Sequence, residues 1–244
     1  MPISIQAVLA DAWALFLRDR GWLIRLAAPF LFLPSFALAL LVPRWPAAPG
    51  AEAAGSDGRT LVWAELFGDW LRVNGGWYAL AYAVGAFGSA ALYAAYLDRE
   101  AGDVRGALRR AGPILPRFLL AALLIAIPTG AGLYLWVVPG LYVMGRTMLA
   151  SPAILAERPL SAVGALARSF ALSAGAGLPL MALAGAVLLA GVVLAQPFAA
   201  IEAAGGGGRI AAAFAAAGIA AVSMATNLAQ VLVAVSAYRR LVKR

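Results

Sequence analysis

The chain has no cysteine and no histidine among its 244 residues, and only one lysine, Lys243. Without thiols or imidazoles there is no disulfide, no Cys- or His-ligated metal and no Cys nucleophile, and the commonest general base is missing. Charge is also scarce: Asp, Glu, Lys and Arg make up 12% of the chain, about half the usual share in soluble domains. In their place, 64% of residues are hydrophobic and mean hydropathy is +0.87. So few polar groups cannot cover a surface in water, so lipid must be the solvent for much of the chain. Residues 73–97, 118–145, 169–201 and 210–238 carry no formal charge, and each run is long enough to span about 30 Å of hydrocarbon.

The net charge of +8 invites a nucleic-acid reading, but no basic patch interleaved with aromatics sits on a soluble segment. The cations are Arg residues sorted along a membrane protein, so no nucleic-acid partner is expected. Residues 1–20 lack the basic start and uninterrupted apolar stretch of a cleavable signal, because Asp11, Arg18 and Asp19 intervene. The first span is expected to serve as the membrane signal.

Residues 4–20 read as an amphipathic helix capped by Ser4, with Ile5, Val8, Leu9, Ala12, Trp13 and Phe16 at helical spacing and Gly21 as its end. Trp13 would sit at headgroup depth. Spans follow at 22–42 and 76–97. The insertion 43–75 between them contains a second kind of interfacial helix, 61–72, striped by Trp63, Leu66, Phe67, Trp70 and Leu71. Val104, Ala107, Leu108 and Ala111 suggest a short amphipathic helix ending before Pro113, with span three starting near Phe118. Pro139-Gly140 is a strong turn signal inside an uncharged run, and predicts a tight hairpin followed by a short fourth span at 141–156. A third amphipathic segment covers 160–174, with Leu160, Val163, Leu166 and Phe170 opposite Ser161, Arg168 and Ser169. Spans five and six fall at 178–199 and 210–237, joined by a glycine-rich loop at 205–208 that lacks the Lys-Ser/Thr of a phosphate loop.

Charge sorting decides the doubtful hairpin. Six spans put Arg18, Arg20, Arg25, Arg99, Arg105, Arg109, Arg110, Arg117, Arg158, Arg168, Arg239, Arg240, Lys243 and Arg244 on one side, against Arg44, Arg59, Arg72 and Arg209, which is 14 to 4. A single long span over 118–145 would make the balance 9 to 10. The positive-inside rule selects the hairpin, with both termini cytoplasmic. The expectation is therefore an all-α polytopic bundle of six transmembrane helices, with three amphipathic helices on the cytoplasmic side.

The order of elements also repeats: an amphipathic helix, then two spans, in units 4–97, 103–157 and 160–238. Val8-Leu9, Ala107-Leu108 and Ala165-Leu166 align, with a charge close behind each Leu at Asp11, Arg110 and Arg168. A threefold helix-plus-hairpin repeat within one membrane domain, 1–244, follows as an expectation.

The stretch from Trp136 through Pro139-Gly140-Leu141-Tyr142 to Arg146 is followed by Ser151-Pro152, Glu157 and Ala165-Leu-Ala-Arg168-Ser-Phe-Ala-Leu172. This pattern resembles the bacterial membrane domain attached to some glycerophosphoryl diester phosphodiesterases, which also stands alone in uncharacterised inner-membrane proteins of the YciC-like type. The resemblance covers about 40 residues. It implies six helices, a bacterial origin and an inner-membrane location. It implies no chemistry, because the phosphodiesterase barrel has no counterpart here.

Each candidate site residue has two readings. Arg146 is the only charge deep inside a span, where insertion costs about 3 kcal/mol; it either meets a phosphate or acidic group, or it snorkels from the short fourth span or binds the carbonyls freed around Pro139 and Pro152. Glu157 lies too far along the helix to pair with Arg146, and either caps the next helix or meets Arg158 or Arg168. Ser223, Thr226, Asn227 and Gln230 share one side of span six, as interhelical hydrogen bonders or as a polar pathway. Small residues at four-residue spacing (Ala81, Gly85, Ser89; Ala182, Ala186, Ala190; Ala212, Ala216, Ala220) point to close helix packing. No cofactor and no enzymatic activity is expected. The expected partners are membrane lipids, with anionic headgroups at the cytoplasmic side, and a membrane-protein partner. The expected role is a scaffold or lipid-contacting envelope component, with a small permease as the alternative.

Overall fold

The computed structural model describes residues 3–43, 46, 57–98, 103–135, 137–203 and 208–242. Every regular element among them is helical: α1 (Ile5–Ala27), a π segment (Ala28–Phe32), α2 (Leu33–Leu41), α3 (Asp57–Leu97), α4 (Val104–Leu135), α5 (Val137–Thr147), α6 (Ala150–Ala156), α7 (Ala162–Leu172), α8 (Gly177–Ala203) and α9 (Gly208–Val242). Five stretches are long and apolar enough to cross a membrane: Ile5–Leu41, Leu61–Leu97, Val104–Gly132, Gly177–Ala203 and Gly208–Val242. Most of the 43–75 insertion before residue 57, together with Arg44, Arg99, Lys243, Arg244 and residues 205–207, lies outside the described residues.

Three expected boundaries disappear into longer helices. Gly21 does not end α1, which runs on into the π segment. The expected separate helix at 61–72 is the first half of α3, and the helix before Pro113 is the first part of α4, which carries Pro113, Pro116 and Pro128 internally. A glycine or proline breaks a helix only when nothing else holds it. Here neighbouring helices supply the packing, and Gly21, Gly112, Pro113 and Pro116 are exposed near a bundle end. Pro29 and Pro34 act differently: they coincide with a π turn in which the Leu33 N–H reaches the Ala28 carbonyl, while the Ser35 hydroxyl donates to the Leu31 carbonyl at 3.0 Å.

The hairpin around Pro139-Gly140 is displaced. α4 ends at Leu135 and α5 starts at Val137, so Pro139 lies in the first turn of a helix, where its missing N–H costs nothing. Gly140 does a packing job. A Cβ placed on Gly132 would lie 2.7 Å from the Gly140 Cα, so α4 and α5 meet backbone to backbone. The expected span at 141–156 is not one helix: α5 and α6 have 11 and 7 residues, separated at Met148-Leu149. α5 packs along α4 and α8, and α6 lies buried against α3, α4, α7 and α9.

The three amphipathic helices share a local plan. Each begins with a side chain accepting from the backbone N–H three residues on: Ser4 from Ala7, Asp103 from Gly106, Ser161 from Gly164. Four residues after each cap come Val8, Ala107 and Ala165, all fully buried. Four further on come Ala12, Ala111 and Ser169, also buried. The outer face is apolar as well, with Ile5, Leu9, Trp13, Leu17, Val163 and Phe170 exposed. The packed side therefore takes small residues and the outward side takes large ones.

The small-residue stripes divide. Ala216 and Ala220 are buried as expected, whereas Ala182, Ala186 and Ala190 are exposed, and α8 packs through Leu180, Leu183 and Ala184 instead. A run of alanines has two usable faces, and only the neighbours choose. Gly145 marks a close α5–α8 approach, since a Cβ there would lie 2.4 Å from the Met181 nitrogen.

Candidate functional site: a charged end and a neutral cleft

One end of the bundle holds most of the charges. Seven residues after each cap (4 to 11, 103 to 110, 161 to 168) stands an ion-paired residue. Asp11 meets Arg240 at 2.6 Å, Arg110 meets Asp98 at 3.8 Å, and Arg168 meets Glu157 at 2.8 Å. Each pair joins one of these helix starts to the end of another helix. The Asp11–Arg240 pair links the first helix to the last, with the signs exchanged relative to the other two pairs. Arg158 adds a second contact to Asp98 at 3.3 Å, and the Tyr238 hydroxyl donates to Glu157 at 2.8 Å. The Tyr96 hydroxyl donates to Asp19 at 3.0 Å, and Arg239 donates to the Tyr96 carbonyl at 2.7 Å. Glu157 is thus a junction for α6, α7 and α9 and does not cap α7, whose cap is Ser161. Beside this network Arg20, Arg25, Arg105, Arg109 and Arg117 are exposed and make no hydrogen bond or ion pair among the described residues.

Arg146 belongs to a separate arrangement. Its guanidinium donates to the Ser173 carbonyl at 2.8 Å and the Phe170 carbonyl at 3.1 Å, and stacks 5.1 Å from the Phe170 ring centroid. Those carbonyls end α7, where a cation complements the helix dipole. The exchange is reciprocal, since the Ser169 hydroxyl donates to the Arg146 carbonyl at 2.6 Å. Arg146 therefore meets carbonyls, but those of α7 and not of the turns around Pro139 and Pro152.

Deeper in the bundle lies a cleft of about 640 Å³ between the kinked first stretch, α3 and α9, a size typical of ligand sites. A second space of about 290 Å³ adjoins it toward α4, α5 and α8. Four residues line both: Tyr82, Tyr93, Ser151 and Gln230. Asn227 lines the larger cleft and donates to the Ser223 carbonyl at 2.8 Å. The expected stripe on span six splits accordingly. Asn227 and Gln230 face the cleft, and Thr226 donates to the Val222 carbonyl at 2.8 Å and lies against Gly191 of α8. Ser223 lines neither space. Arg146 is not in the cleft, so no one site joins it to Asn227. The Ala81, Gly85, Ser89 stripe lines this space, and Gly85 also lies against the first stretch, where a Cβ would be 3.7 Å from the Phe30 carbonyl oxygen.

Tyr82, Tyr93 and Ser151 escaped the sequence reading because each sits alone in an apolar run. The available signal was depth: tyrosines favour the membrane interface, and Tyr82 and Tyr93 fall within the span proper. No three His, Cys, Asp or Glu side chains group as a metal site among the described residues. No family model, curated protein or solved structure matches the chain.

Proposed function

We propose that the chain is a non-catalytic component of a bacterial inner membrane, crossing six times with both termini cytoplasmic and meeting anionic lipid headgroups through its charged end. The observation that carries this reading is the collection of Asp11, Asp98, Glu157, Arg168 and Arg240 at one end of the bundle, flanked by five exposed arginines with no partner among the described residues. Unpaired arginines near a membrane surface each attract anionic lipid by about 1 kcal/mol. Arg25 lies about 8 Å further along its helix than Arg20, and Arg117 about 10 Å further than Arg110, depths suited to snorkelling toward headgroups.

The sixth crossing in this reading is α5 with α6. Together they cover residues 137–156, about 30 Å if traversed as helix, and return the chain from the end of α4 to Glu157 in the ion-pair network. The equivalent caps, buried positions and ion pairs support three related units. They fit the resemblance to the phosphodiesterase-associated membrane domain, which we carry forward as kinship and not as activity. The outward apolar face of α7 suits a membrane-protein partner.

The absence of cysteine makes the topology directly testable. Single-cysteine variants R105C, V137C, A156C and A203C in cells should be labelled by a membrane-impermeant maleimide only at 137 and 203. Labelling of 137 and 156 from the same side would remove the sixth crossing.

A small permease is the second reading, and the neutral cleft favours it. Solute uptake into vesicles carrying the purified protein tests it.

A further inference from the structure

We infer that the cleft binds a neutral lipid with one apolar chain, of the monoacylglycerol class, with its head between α3, α6 and α9 and its chain between α2 and α3. The inference rests on the membrane-spanning reading but concerns a different surface from the charged end.

The head site is argued from unmet hydrogen bonds. Tyr93 is only 6% exposed, yet its hydroxyl has no partner among the described residues. The half-buried Ser151 hydroxyl and Gln230 carboxamide, and the exposed Tyr82 hydroxyl, have no partner among the described residues either, and all four side chains line both spaces. The Thr129 hydroxyl, on the smaller space, is buried and unpartnered too. Buried polar groups are ordinarily satisfied, by protein, water or ligand. These groups can donate to and accept from hydroxyls and esters.

Charge narrows the ligand. No Asp, Glu, Lys or Arg lines either space. A phosphate or ammonium entering there would lose its hydration with no counter-charge to offset the loss. A glycerol head loses only hydrogen bonds that the site replaces.

The chain site is argued from continuity. Pro34, Leu38 and Ala81 line both the large cleft and a neighbouring groove of about 470 Å³. That groove is walled by side chains such as Pro29, Leu33, Leu41, Trp77, Leu80 and Val84, with no charged residue. Leu33, Leu41, Trp77 and Leu80 are exposed on the outside of the bundle, which in a bilayer faces acyl chains. The groove follows residues 29–42, about 20 Å of helix. A polar pocket opening sideways into one such groove fits a molecule with a small neutral head and one long tail.

The test uses the full chain in nanodiscs with two photoreactive probes of identical acyl chain, a monoacylglycerol and the corresponding lysophosphatidic acid. Cross-linked peptides are mapped by mass spectrometry. Monoacylglycerol should label α2, α3 and α9 around the cleft about tenfold more than lysophosphatidic acid. Y93F and Q230L should each reduce that labelling about tenfold, as loss of one buried hydrogen bond does, while S223A leaves it unchanged. Equal cleft labelling by the two probes, labelling scattered over the outer surface, or wild-type labelling of a well-folded Y93F/Q230L double variant would overturn the inference. Binding to anionic vesicles through the charged end is measured in parallel. Its loss in a variant lacking Arg20, Arg105 and Arg109, with cleft labelling intact, separates the two sites.

Discussion

Arg240 donates through its Nε to an Asp11 carboxylate oxygen at 2.6 Å, joining positions 229 residues apart. This contact fastens the end of α9 to the amphipathic start of α1. Arg110–Asp98 and Arg168–Glu157 make the corresponding links from α4 to the end of α3 and from α7 to the end of α6. An up-and-down bundle is weakest where its ends fray, and these pairs tie them in sequence around one end.

The Asp11–Arg240 pair should be exchangeable. Both side chains are nearly half exposed, so solvent screening keeps their coupling small. D11R and R240D should each lower thermal stability in detergent, and the D11R/R240D double variant should recover most of the loss. The double-variant cycle measures the coupling, and a coupling of zero would show that proximity alone, not charge, holds the helices.

Glu157→Ala should cost more than Asp11→Ala. Glu157 accepts from Arg168 Nε at both oxygens and from the Tyr238 hydroxyl, and its loss strands partly buried donors on two helices. A penalty of about 1–3 kcal/mol is expected, against about 0.5–1 kcal/mol for Asp11→Ala. Chemical unfolding followed by tryptophan fluorescence ranks the two.

Gly145→Val should separate α5 from α8, because the new side chain meets Met181 backbone that cannot swing away. Overpacking of this kind costs about 1–3 kcal/mol. Gly76→Ala has open space around its new Cβ and should be neutral or slightly stabilising. Melting temperatures of the two variants compare the sites directly.

Arg146→Ala and Ser169→Ala should loosen the same region, the end of α7 and the 173–176 turn. The two contacts run in opposite directions between the same elements, so the double variant should lose less than the sum of the singles. Hydrogen exchange at residues 170–177 should accelerate about tenfold in each single variant, for a loss near 1.4 kcal/mol. Unchanged exchange in Arg146→Ala would return Arg146 to the reading of a ligand contact.

Much of the helical content was legible because hydrophobic runs and local caps are short-range signals. Ser4 caps α1 as its position suggests, whereas the cap of α7 is Ser161 and not Glu157, and Arg168 meets Glu157 as one reading had it. The stops at Gly21 and Pro113 were misread for one reason: a breaker's cost of about 1–3 kcal/mol is small beside the packing of a long helix. The cleft was half legible. Asn227 and Gln230 stand out as amides in an apolar span. Tyr93 and Ser151 do not, because a hydroxyl's importance depends on whether a neighbour satisfies it.

The amino-acid order by itself determines that this chain is helical, apolar and asymmetric in charge, because those properties add up residue by residue along a helix. It also determines the caps and the seven-residue spacing to each paired charge, which are set within two turns. Only the tertiary structure decides which face of α8 packs, that Arg146 ends α7, that the fourth stretch breaks at Met148-Leu149, and that four neutral groups without a partner among the described residues share one space. Those outcomes depend on what lies across a helix interface, and an apolar run reads the same whichever neighbour it meets.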